Sequence, residues 1–219
     1  KEYLYNNLGE LYEHQFKNTS MALEYYNKEL EVDPESYAGL LNKFKLLVKT
    51  KDFVGALRVI NVFVDVFNDE EAYLKRSSFY ETHLDDFDLA LEDLKIAKNI
   101  VVSDPSGEYS IFDIDYQEAQ FYFRQKDYAV ALEKHLLLEK NYKKDDYYNS
   151  SLLTDIGDIY QLMGDYASAL KYYNKELKSS PDFVYAIQKR AELYAFFLKN
   201  KERAEQDYDR GFEIDPENN

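Results

Sequence analysis

Apolar residues recur every three or four positions through most of this chain, and one stretch shows the pattern in full. From Leu152 to Pro181 the sequence reads LLTDIGDIYQLMGDYASALKYYNKELKSSP. Ile156 and Tyr160 stand four apart, so they share one face of a helix. Tyr166, Ala169 and Tyr173 follow at spacings of three and four and predict a second amphipathic helix. Between the two, Gly164 suits the left-handed residue that ends a helix, and Asp165 suits the cap of the next. Gly157 and Ala169 are small, as a close helix crossing requires. Pro181 stops the pattern, because proline cannot continue a helix.

The same unit echoes along the chain. Six alanines hold one site in its second helix: Ala22, Ala56, Ala90, Ala131, Ala169 and Ala204, at spacings of 34, 34, 41, 38 and 35. The hexapeptide YYNKEL occurs twice, at Tyr25–Leu30 and Tyr172–Leu177. These residues resemble the tetratricopeptide repeat, a helix–turn–helix unit of 34 residues. The resemblance implies an all-α fold, a right-handed superhelical solenoid of stacked helix pairs. It covers residues 1–219 as a single array, with repeats at about 2–35, 36–70, 71–104, 112–145, 150–183 and 184–217. Loops are expected at 103–109, where Pro105 and Gly107 interrupt the pattern, and at 143–148. In repeat 1 the turn FKNTS carries an extra residue, and Ser20 is the expected helix cap. In repeat 2 Phe44 stands where a small residue is usual, which argues against close packing of that pair.

Composition agrees and removes several functions. Seven Gly and four Pro fit an almost wholly helical chain. There is no Cys, so disulfides, thiol catalysis and cysteine metal sites are excluded. The net charge of −15 repels nucleic acid and anionic membranes, and basic stripes with interleaved aromatics are absent. No apolar run reaches the 18 or so residues a membrane span needs. Neither an initiator Met nor a signal peptide is present, so the chain reads as a segment of a longer protein. The compartment is not encoded in it, with the cytoplasm favoured over export.

The residues that could carry chemistry do not assemble into a motif. His135 takes an aromatic core position four residues after Ala131, and His14 and His83 fall near the ends of first helices. Ser77, Ser78, His83, Asp85 and Asp86 contain the letters of a catalytic triad without its geometry. Asp113 and Asp115 lack the Gly and Glu of a calcium loop and read as an acidic helix start. No enzyme activity, cofactor or metal is expected.

The resemblance implies that first helices line a concave groove holding an extended peptide or a helix. By the family's register its middle collects Asn42, Lys45, Lys49, Lys75, Arg76, Phe79, Tyr116, Gln117, Gln120, Phe123 and Arg124. Lys and Arg among aromatics, in so acidic a chain, suggest a site for an acidic segment with an apolar anchor. Arg76 and Arg124 are the expected carboxylate forks, and reversing Lys75, Arg76 and Arg124 is expected to abolish binding. The family's clamp for chaperone tails is not matched: of Asn6, Glu10, Asn42, Ala72 and Arg76, only Asn42 and Arg76 agree, and Glu10 repels a carboxylate. The leading expectation is a non-catalytic scaffold binding a protein or peptide, without nucleic acid or membrane insertion. The competing ones are a structural section of a longer solenoid, self-association through the edge around Tyr208 and Phe212, and the accessory domain of a larger enzyme or sensor.

Overall fold

The structure is a computed structural model that describes residues 2–142 and 146–216. Among these residues twelve α-helices follow one another in six pairs. α1 (Glu2–His14) is followed by α2 (Thr19–Val32), α3 (Tyr37–Lys49) by α4 (Phe53–Phe67), and α5 (Glu70–Phe79) by α6 (Phe87–Ser103). α7 (Ile111–Arg124) precedes α8 (Tyr128–Asn141), α9 (Asp146–Leu162) precedes α10 (Tyr166–Ser179), and α11 (Val184–Glu192) precedes α12 (Lys201–Ile214). The chain divides into two compact units, one ending at Ile114 and one starting at Asp115. None of the described helices is long and apolar enough to cross a membrane.

One turn joins the two helices of every pair. It opens with a residue in the left-handed region: Lys17, Lys51, Asp85, Lys126, Gly164 or Lys199. The next residue is always Asn or Asp, whose short side chain accepts the N–H three residues on. Asn18 accepts from Met21 (3.1 Å), Asp52 from Gly55 (2.9 Å), Asp86 from Leu89 (3.2 Å) and Asp127 from Val130 (3.2 Å). Asp165 accepts from Ser168 (3.0 Å) and Asn200 from Arg203 (3.1 Å). The cap of α2 is therefore Asn18 and not the expected Ser20, which lies inside the helix. The turn sets the cap directly after the left-handed residue, and that residue is Lys17.

Three repeats carry one extra residue before this turn. Gly157 to Ala169 and Ala119 to Ala131 are 12 apart, whereas Gly9 to Ala22, Ser77 to Ala90 and Ala191 to Ala204 are 13 apart. In two of the longer repeats the extra residue is absorbed by a π-helical turn, at Tyr80–Leu84 and Leu193–Phe197. The turn amide then reaches six residues back, from Asp86 to Tyr80 (3.1 Å), Asn200 to Tyr194 (2.9 Å) and Asn18 to Tyr12 (2.8 Å). In the shorter repeats it reaches five back, as from Asp165 to Tyr160 (2.9 Å).

The repeated alanines are the crossing points. Ala22, Ala56, Ala90, Ala131 and Ala169 are fully buried, and Ala204 nearly so. In two pairs a tyrosine four residues later packs on a glycine of the first helix. A Cβ at Gly157 would stand 2.5 Å from Tyr173 Cε1, and one at Gly9 would strike Tyr26 in the same way. In the first unit the core centres on Leu40, Leu47, Ala56, Ile60, Phe63 and Phe79. Phe44 does not loosen the α3–α4 pair as expected. Its ring meets Phe79 at 5.4 Å, on the following first helix, while Leu40, Leu47, Ala56 and Ile60 close the pair beside it. In the second unit Ala169, Tyr173 and Leu193 form one cluster, and Leu177, Ala186 and Ile187 another.

In the connection at 103–109 the Glu108 amide donates to Glu70 Oε1 (3.1 Å). α7 starts with a reciprocal cap. Ser110 N and Oγ donate to Asp113 Oδ2 (2.7 and 2.6 Å), and Asp113 N donates back to Ser110 Oγ (3.2 Å). Of the loop expected at 143–148, residues 143–145 lie outside the described ones, and from Asp146 the chain is already in α9.

Candidate functional site

Within each unit the first helices of successive pairs are bonded to one another, so their outward residues form a continuous face. In the first unit Asn42 Nδ2 on α3 donates to Asn6 Oδ1 (2.9 Å) and Glu10 Oε1 (3.0 Å) on α1. Lys49 reaches Glu13 at 2.8 Å, and Tyr37 OH donates to Glu71 on α5 at 2.8 Å. Lys75 also holds Glu71, at 2.9 Å.

On this face Lys49 stands outside its partner, while Lys75 and Glu71 are about equally exposed. The Lys49 side chain is 61% exposed and its partner Glu13 only 11%. Burial alone raises the Glu13 carboxyl, but the Lys49 ammonium and the Tyr26 hydroxyl outweigh it and hold it below its ordinary value. Glu71 is lowered in the same way: burial opposes, while Lys75, Tyr37 and the nearby Lys45 prevail. Lys45 itself is exposed.

Two residues expected on this face are turned inward. Arg76 Nε and Nη2 donate to Asp93 Oδ2 and Oδ1 (2.8 and 2.7 Å), and Nη1 donates to Asn61 Oδ1 (3.1 Å). Asp93 is buried and needs this counter-ion. Tyr73 and Tyr80 flank the guanidinium at 5.5 and 5.8 Å. Phe79 is 2% exposed and packs edge-on against Phe44 and Phe53. Its outward neighbour is His83, stacked on Phe53 at 5.1 Å. Asn42, Lys45, Lys49 and Lys75 remain on the face.

The second unit presents a different face. Tyr116 OH on α7 donates to Asp155 Oδ2 on α9 (2.6 Å), and Gln120 Nε2 donates to the same oxygen (2.9 Å). Gln120 Nε2 also faces His135 Nε2 at 3.5 Å. His135 Nδ1 is 2.7 Å from the Ala131 carbonyl, which can only accept, so Nδ1 carries the proton and Nε2 is the acceptor. Burial lowers the His135 pKa and keeps the ring neutral. Burial pushes Asp155 up to about 6 against the two hydrogen bonds, with Asp158 adding to the rise. Asp158 is raised by burial too, against the hydroxyls of Tyr173 (2.6 Å) and Tyr185 (3.1 Å). Of the remaining expected residues, Gln117 is half-buried, Phe123 packs on Tyr128 at 5.9 Å, and Arg124 is exposed at the end of α7.

These bonds link residues far apart in sequence, and sequence reading missed most of them. One signal was present. Arg190 forks Asp207 as Arg76 forks Asp93 (Nε 2.8 Å, Nη2 2.6 Å), and its Nη1 donates to Asn174 (2.7 Å) as that of Arg76 donates to Asn61. The Arg-to-Asp interval is 17 residues both times. Among the described residues no group of three or more His, Cys, Asp or Glu is placed to hold a metal.

Three segments of the chain, residues 3–36, 150–183 and 184–218, match the tetratricopeptide repeat. Solved structures share the fold at low identity. PilW, described as a widely conserved type IV pilus biogenesis factor, superposes with a TM-score of 0.65 at 12% identity, over 99% of this chain and 94% of its own. A tetratricopeptide repeat protein from Parabacteroides merdae gives 0.62 at 20% identity, over 99% and 80%. PilF of Pseudomonas aeruginosa gives 0.61 at 16%, over 99% and 92%. No curated protein matches the sequence.

Proposed function

Because the chain is a tetratricopeptide repeat protein, and such repeats generally serve protein–protein interaction, we propose that it is a non-catalytic scaffold holding a partner's peptide or helix on its first-helix faces. The observation that carries this reading is the order of charges on α3 and α5. In a chain of net charge −15, Lys45 is exposed, Lys49 projects beyond Glu13, and Lys75 stands level with Glu71. An acidic segment meets the Lys45 and Lys49 ammonium groups, with Glu13 behind Lys49 and Glu71 level with Lys75. Asn42, whose Nδ2 already donates to Asn6 and Glu10, offers its Oδ1 to a ligand backbone N–H. Arg76 and Phe79 support this face from within by fixing α5 against α6 and the core. On α7, Gln117, Phe123 and Arg124 offer an amide, a ring and a cation to the same class of ligand, while Tyr116 and Gln120 fix Asp155.

The test uses a labelled peptide of Asp and Glu with one Phe, titrated by fluorescence anisotropy. The Lys45→Gln, Lys49→Gln, Lys75→Gln variant is run beside the parent chain. Gln keeps a hydrogen-bond donor for Glu13 and Glu71 and removes the charge. Weaker binding by the variant supports the reading; equal binding removes these lysines from it.

A further inference from the structure

The joint between α2 and α3 and the joint between α10 and α11 differ by one exchange that matters. Both second helices contain YYNKEL, so Glu29 corresponds to Glu176, and Ser36 and Phe183 stand at the N-cap of the helix that follows. Ser36 makes two bonds there. Its hydroxyl donates to Glu29 Oε1 (3.0 Å) and accepts from the Gly39 amide (3.2 Å). Phe183 can make neither, and α11 starts without a side-chain cap.

Glu176 receives nothing in exchange. It is fully buried, and no group of the protein forms a hydrogen bond to either carboxyl oxygen. Burial raises its pKa above the ordinary 4.5, and the nearby Ser180 hydroxyl alone opposes the rise. No charge acts on it, because the charged groups of the surrounding elements are engaged with one another or with solvent. On α10, Lys175 is held by Glu139, and Lys178 is exposed. In the connection, Asp182 meets Arg210 of α12 at 3.4 Å. On α11, Lys189 meets Glu192 at 3.6 Å, and Arg190 forks Asp207. An ionised carboxylate has no compensation here for its lost hydration. The closed joint therefore binds the proton more tightly than the open one. What Glu176 contributes to closure is complete below pH 4.5 and is lost as pH rises through its folded value.

The part that can give way is the first turn of α11. Its amides have no side-chain acceptor, whereas the far end of the helix is pinned, with Arg190 donating to Asp207 of α12 (2.8 Å) and to Asn174 of α10 (2.7 Å). We infer that the α10–α11 joint is a proton-operated hinge: protonated Glu176 keeps the first turn of α11 on α10, and ionised Glu176 drives it off, with Arg190 as the pivot. Opening withdraws the Tyr185 hydroxyl from Asp158 on α9 (3.1 Å), so this part of the second unit's face is complete only while the joint is closed. Asp155 and Asp158 on α9 are raised by burial as well, and Asp158 reaches α11 through Tyr185, so the test separates them from Glu176.

The experiment is hydrogen exchange of the full chain, read by mass spectrometry and corrected for the intrinsic effect of pH on exchange. Protection of residues 184–189 is expected to fall roughly tenfold between about pH 5 and about pH 8, while residues 37–42 of α3 change little. Glu176→Gln is expected to remove the fall, and Asp158→Asn to leave it in place. Phe183→Ser gives the carboxylate the donor that Glu29 has and is expected to shrink the fall, whatever packing the lost ring costs. A carbon-13 titration of the Glu176 carboxyl in the parent chain needs no variant and is expected to show a pKa above 4.5. The ordinary value overturns the inference, as does protection that is constant with pH. A fall that survives Glu176→Gln overturns it too and assigns the titration to α9. None of these readouts involves a ligand, so failure here is separate from failure of the first-helix reading.

Discussion

Arg76 grips Asp93 at two points, Nε to Oδ2 at 2.8 Å and Nη2 to Oδ1 at 2.7 Å. The two side chains are unequally covered: Arg76 is 18% exposed and Asp93 3%. Losing the arginine strands a buried carboxylate, whereas losing the aspartate leaves a guanidinium that can turn toward water. Arg76→Ala is therefore expected to destabilise the fold by about 3 kcal/mol, more than Asp93→Ala, and the double variant by less than the sum. Urea denaturation of the three variants checks the order. For the same reason Arg76→Glu, which the sequence suggested as a binding test, attacks the fold before it reaches any ligand.

Asp155 gives the second unit a pH dependence. Its folded pKa of about 6 lies above the ordinary 3.8, so the folded state binds more protons between those values. The contribution to stability is greatest below about pH 4 and is lost as pH rises through 6. Asp155→Asn keeps an acceptor for Tyr116 and Gln120 and removes the buried charge. It is expected to raise stability at pH 7–8 by about 2 kcal/mol and to flatten the profile between pH 4 and 6. Denaturation curves across that range test it, and an unchanged profile contradicts it.

His135 works in the opposite direction. Its pKa is depressed by burial, so the unfolded state binds the proton more readily and stability falls as pH drops below about 6.5. Imidazole NMR is expected to show the Nδ1–H tautomer and a pKa below the ordinary value. A normal pKa contradicts the buried, neutral ring.

Two glycines separate packing from propensity. Gly157→Ala forces a Cβ into the Tyr173 ring and is expected to cost about 1–3 kcal/mol, although Ala is the better helix former. Gly211→Ala meets nothing closer than 3.9 Å and is expected to gain about 0.5–1 kcal/mol. Thermal melts of the pair compare the two directly.

The helix pairs were legible because their signals are local. The spacing of Ala22, Ala56, Ala90, Ala131, Ala169 and Ala204, and the glycines facing Tyr26 and Tyr173, follow from helix periodicity and small-residue crossings. The cap at Asn18 was missed because Ser20 is an equally good cap by residue type, and only the left-handed Lys17 decides between them. The binding face was legible in outline and not in detail. Periodicity places Arg76 and Phe79 on a first helix, but what each touches depends on Asp93, Asn61, Phe44 and Phe53, which lie on other helices. The π-helical turn at Tyr80–Leu84 also shifts the register just past these residues.

The most direct test of the scaffold reading is the affinity of the acidic peptide for the parent chain and for the Lys45→Gln, Lys49→Gln, Lys75→Gln variant, measured at low and at 0.15 M salt. Because the ligand's carboxylates meet exposed ammonium groups, binding by the parent chain is expected to weaken with salt. The variant is expected to bind at least tenfold more weakly at low salt, with little salt dependence left. Equal affinities, or equal salt dependence in the two proteins, contradict the α3–α5 face as the binding surface.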